Sequence, residues 1–170
     1  MTAMTTLLEA IRRTCLLVAI VATAGLLGVV AINIIGRAVF DATGGDVNFM
    51  IFGAIELSQY ALMISIFAAV PAMLGTGLIR VDIICKSFPV GLQNLLDRLW
   101  LILIAAFAIV LTDAFYDFAV TAMERGDQTQ DLRLPLWPFY AIATLECAAL
   151  ALLALGGAFG LVKPPQEEHA

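Results

Sequence analysis

The chain has 170 residues, of which 62% are hydrophobic and 14% charged, with a formal net charge of −5. Soluble domains carry about a quarter charged residues, so this composition excludes a water-surrounded globule and indicates a membrane protein with room for one compact unit. The acidic balance and the lack of a basic patch exclude nucleic acid as a partner.

Residues 1–13 form an amphiphilic lead-in ending in Arg12 and Arg13. The first predicted span covers about 14–36, long enough for the ~20 residues that one crossing needs. Ala22-Thr23-Ala24 has the form of a signal-peptide cleavage site, but the apolar run continues well past it, so it reads as a retained helix. A polar connector with Asp41, Gly44, Gly45 and Asp46 leads to a second span over about 49–74, with Pro71 near its far end. Residues 75–98 mix Arg80, Lys86 and Arg98 with aliphatic side chains, a pattern suited to a segment lying in the membrane interface. Arg80 and Asp82 are expected there, fixing the depth and exit of the second helix.

The third span covers about 99–123 and the fourth about 136–162, with Trp100, Trp137 and Tyr140 as aromatic interface anchors. The short connector between them is highly charged, and the tail 163–170 reads as mobile. The expected fold is therefore an all-α integral membrane protein. It comprises four transmembrane helices in a single domain over 1–170, with an interfacial segment between helices two and three.

Lys and Arg distribution orients the chain. With the N-terminus inside, the inner segments hold Arg12, Arg13, Arg80, Lys86, Arg98 and Lys163, against Arg37, Arg125 and Arg133 outside. The positive-inside rule then places both termini in the cytoplasm. The outer connectors are net acidic, with Asp41, Asp46, Glu124, Asp127 and Asp131.

Four acids fall within spans: Glu56, Asp113, Asp117 and Glu146. An intramembrane carboxylate is costly and needs a partner or a function. For Glu56 the structural reading is an ion pair with Arg37, which snorkels from the end of the first span, clamping the first two helices. The functional reading is a proton or cation site. The nearby arginine favours the clamp, and Gln59 and Tyr60 stand ready to complete the hydrogen bonding. Asp113 and Asp117, on one helical face, read as partly exposed or paired with Arg125 or Arg133; a cation site is the sharper alternative, short of ligands. Glu146 lies near mid-span with no evident cation, and is either protonated, turned to the third span, or turned to another chain.

Gly156 and Gly160 have the GxxxG spacing of close helix packing, and Ala61, Ser65 and Ala69 recur every fourth residue. Packing within the bundle is the simpler reading; a contact with a partner helix through Glu146, Gly156 and Gly160 is the other. Cys15, Cys85 and Cys147 are far apart, and the single histidine is His169, so neither a disulfide framework nor haem held between two helical histidines is expected. No nucleophile elbow, metal-ligand spacing or phosphate-cradling loop is present, so no enzyme activity, cofactor or metal is expected.

Four short stretches resemble the small membrane subunit, the Q or DctQ-like component, of tripartite ATP-independent periplasmic (TRAP) transporters. They are NIIGR at 33–37, Glu56 with Tyr60, GLIRVD at 77–82 and GDQTQDLRLPLW at 126–137. Leu78 stands where the family often has histidine, so no role needing that imidazole carries over. The resemblance implies a subunit of the bacterial inner membrane that supports a large membrane subunit. That large subunit moves a substrate, often an organic acid, with a sodium gradient, and a soluble periplasmic protein captures the substrate. The outer acids Asp41, Asp46, Asp127 and Asp131 then either dock the binding protein or only solvate their loops. Other readings are the small subunit of another tripartite carboxylate system, a quinone-site anchor, or a stand-alone proton-coupled carrier using Glu56 or Glu146.

Overall fold

A computed structural model describes residues 2–74 and 89–161. The described residues form four helices: α1 (Thr2–Ala42), α2 (Ala54–Ala72), α3 (Val90–Arg125) and α4 (Trp137–Ala158). All four are long and apolar enough to cross a membrane, and they are apolar around much of their circumference, as lipid-facing helices are. The protein is a multi-pass, all-α membrane protein.

The helix ends differ from the predicted spans for local reasons. α1 extends past 14–36 in both directions, because charge outside the hydrocarbon does not stop a helix. Its first turns are braced by Glu9, which accepts from Arg12 at 2.9 Å and from Arg13 at 3.1 Å, the spacing at which helical side chains meet. The second helix starts only at Ala54, not at 49, because Gly53 takes a left-handed conformation (φ 69°) and breaks the chain direction. Pro71 is buried inside the last turn of α2. α3 already begins at Val90, inside the segment expected to lie in the interface. Arg80 and Asp82 fall outside the described residues.

The chain folds as two antiparallel hairpins. α1 packs chiefly on α2, and α3 on α4; α4 also touches α2 and α1 and is the most enclosed helix. Within the first hairpin the Thr23 hydroxyl lies 3.3 Å from that of buried Ser65, which places the small-residue row of α2 against α1. Gly36 lets the backbone at Phe49 and Met50 come against α1; a Cβ there would lie 3.1 Å from the Phe49 carbonyl carbon. Ala108, Leu150 and Ala151 form the core between α3 and α4, with Ile104 and Leu74 against it. Small side chains let helix backbones approach, so that dispersion can replace the missing hydrophobic force.

Candidate functional site

The two hairpins are joined most specifically at the end formed by the 43–53 and 126–136 connectors. Gly126 closes α3 in the left-handed region (φ 68°), which only glycine adopts freely. The chain then folds back on itself. Thr129 donates its amide to the Leu134 carbonyl at 2.9 Å, and Leu136 donates to Asp127 at 3.0 Å. The Leu134 amide donates to the Thr129 hydroxyl at 3.1 Å. Thr129 is buried, so its side chain closes the loop from inside.

Glu56, in the first turn of α2, reaches this loop. Its carboxylate accepts the Asp131 amide at 2.7 Å and the Leu132 amide at 3.1 Å. Consecutive backbone amides aimed at one anion form a concave binding nest, and hydrogen bonds to an ionised acceptor are about twice as strong as neutral ones. The Leu132 side chain fills the space above Gly53, where a Cβ would come within 2.5 Å of its Cγ. One turn below, Tyr60 stacks on Phe139 with ring centroids 4.3 Å apart. Gly53, Glu56, Tyr60, Thr129, Leu132 and Phe139 thus form a latch between the hairpins.

This arrangement corrects the expected clamp. Glu56 does not pair with Arg37, which is exposed on α1. The carboxylate turns toward the other hairpin, where two amides need an acceptor. Asp41, Asp46, Asp127 and Asp131 all present exposed side chains, and Asp131 contributes to the latch through its backbone alone. Leu132 and Thr129 lie in the 126–137 motif, whereas Gly53 carried only a weak signal, a glycine just before an apolar helix.

The residues considered for a partner-helix contact lie elsewhere. Glu146 is 6% exposed, and neither carboxyl oxygen has a hydrogen-bond partner. Gly156 is buried within the chain. Gly160 lies beyond α4, where Leu161 donates to the Gly156 carbonyl at 2.8 Å to close the helix end; nothing stands within 4 Å of its Cβ position. It ends the helix rather than seating a neighbour. Gly157, not singled out by spacing, does seat one, with Leu101 Cδ1 at 3.2 Å from its Cβ position. Asp113 and Asp117 are exposed on α3, with no bond to Arg125 or Arg133. Among the described residues no group of three or more His, Cys, Asp or Glu side chains is placed to hold a metal ion.

The family model for the DctQ component of tripartite ATP-independent periplasmic transporters matches residues 26–163. The chain belongs to the DctQ family. The match takes in α2, α3, α4 and the latch completely, together with α1 from residue 26 onward. No curated protein and no solved structure matched it. The protein is thus a small membrane subunit of a TRAP transporter, a transporter component rather than a member of an enzyme family.

Proposed function

We propose that this DctQ-family subunit is a scaffold in the bacterial inner membrane for a sodium-gradient-driven transporter of organic acids. It packs against the large membrane subunit, which holds the substrate and sodium sites. Both termini are cytoplasmic, and the latched connectors face the periplasm. The observation that carries this reading is the use made of Glu56: its carboxylate is taken up by the Asp131 and Leu132 amides. A carboxylate so committed holds two hairpins together and is poorly placed to bind and release an ion.

The exposed acids Asp41, Asp46, Asp127 and Asp131 give the latched end a negative surface, which favours approach of a basic patch on a periplasmic binding protein. Reversing the charge at Asp127 and Asp131 should then slow binding-protein-dependent uptake most at low salt. Uptake unchanged at every salt concentration would leave these acids a solvating role only.

The scaffold reading is tested by co-expression with the large membrane subunit and reconstitution into liposomes. The two chains should purify together, and uptake should need both of them, the binding protein and a sodium gradient. Uptake by this chain alone would replace the scaffold reading with that of a carrier.

A further inference from the structure

We propose that the face of α3 carrying Asp113 and Asp117 is the surface on which the large membrane subunit packs, through a helix that presents a basic side chain at that depth. The proposal rests on the scaffold reading and adds to it the face and its chemistry.

The geometry of α3 sets the direction of this face. Its contact stripe toward α4 includes buried Ala105 and Ala108 and half-buried Ile104. At about 100° per residue, Asp113 and Asp117 lie about 140° and 180° around the helix from Ala108. They point away from α4. Their neighbours on that side are Leu103 and Val110, 60% and 65% exposed.

Depth follows from the register of α3 with α4. The Phe118 and Tyr140 rings are 5.9 Å apart, so these residues share a level just below the Trp137 belt. Counting along the antiparallel helices puts Asp117 about 6 Å and Asp113 about 12 Å below Trp137. The hydrocarbon core is about 30 Å thick, so Asp113 lies well inside it. An aspartate has a single methylene and cannot snorkel that far. Neither acid has a hydrogen bond or ion pair with any other described residue.

The other acids of the predicted spans are placed differently. Glu56 is bonded to the connector loop, and Glu146 is buried. The apolar run of α1 over 14–36 has no charge at all. Among the described residues, the outward face of α3 alone presents carboxylates to hydrocarbon.

A carboxylate facing lipid inside the hydrocarbon is costly, so lipid is a poor occupant at the depth of Asp113. A second copy meeting this face by two-fold symmetry would set the same acids opposite each other, and like charges repel. A helix of a different chain, carrying lysine or arginine at this level, neutralises both acids. The large subunit is the membrane partner that the scaffold reading supplies.

The test uses the co-expressed complex. A photo-crosslinking residue replaces Val110 on the α3 face, or Leu27 on the exposed side of α1 as a comparison. The Val110 probe should link to the large subunit and the Leu27 probe should not. The double variant Asp113→Lys/Asp117→Lys should lower recovery of the large subunit at least tenfold. The isolated small subunit should melt as before, and Asp113→Asn should give a smaller loss. An intact complex with no Val110 crosslink, or full recovery with the double lysine variant, would overturn this face while leaving the scaffold reading intact. A crosslink between two small subunits would overturn it in favour of self-association. Failure of the unaltered chains to associate would remove the scaffold reading, and this proposal with it.

Discussion

Replacing Gly53 by alanine tests the latch at its tightest point. Two costs add. Gly53 sits at φ 69° and ψ 19°, and an L-residue held in the left-handed region loses about 1–2 kcal/mol. The new methyl would also stand 2.5 Å from Leu132 Cγ and 2.9 Å from each Cδ. An extra carbon forced into a packed contact costs about 1–3 kcal/mol. The sum is a loss of about 2–5 kcal/mol.

The two terms can be separated. Leu132→Ala removes the obstructing atoms, so in the double variant only the backbone cost of Gly53→Ala remains. The double-mutant cycle should therefore show a coupling of about 1–3 kcal/mol, with Gly53→Ala better tolerated once Leu132 has been shortened to alanine. The assay is reversible unfolding of the purified subunit in detergent micelles, followed by helical circular dichroism and by the fluorescence of Trp100 and Trp137. If the two substitutions add to within about 0.5 kcal/mol, Gly53 and Leu132 do not meet and the latch is wrongly drawn.

Three further outcomes follow from named contacts. Glu56→Ala should speed hydrogen exchange several-fold at the Asp131 and Leu132 amides while leaving mid-α3 protected, and Arg37→Ala should change neither; the reverse result would restore the arginine clamp. Glu146→Met removes a buried carboxyl with no donor and should stabilise the isolated subunit by about 1–3 kcal/mol in the same unfolding assay, whereas a loss of stability would mean that the carboxyl has a partner. Gly36→Leu should destabilise by about 1–3 kcal/mol, because it drives the backbone at Phe49 and Met50 off α1. Gly36→Ala should lie near neutral, its helix-propensity gain of about 1 kcal/mol set against a tight contact.

What sequence alone determined is the crossing pattern. Hydrocarbon demands a continuous apolar helix for each crossing, so four such runs announce four helices whatever their packing. The resemblance at 33–37, 56–60 and 126–137 pointed to the same family that the model of residues 26–163 identifies. The breaks at Gly53 and Gly126 are written as single glycines, but their conformations became visible only in three dimensions.

Tertiary structure decided the partners. Local reasoning placed Arg37 and Glu56 at one membrane depth, and depth is only one coordinate. The direction of a side chain around its helix axis depends on which neighbours surround that helix. The fold brings amides at 131 and 132, more than seventy residues along the chain, to the Glu56 carboxylate. The same rotation about a helix axis separates the remaining acids. Glu146 turns inward on α4, where nothing serves it, while Asp113 and Asp117 turn outward on α3. A row of acids in a sequence states a cost, and the packing of the helices determines where that cost is met.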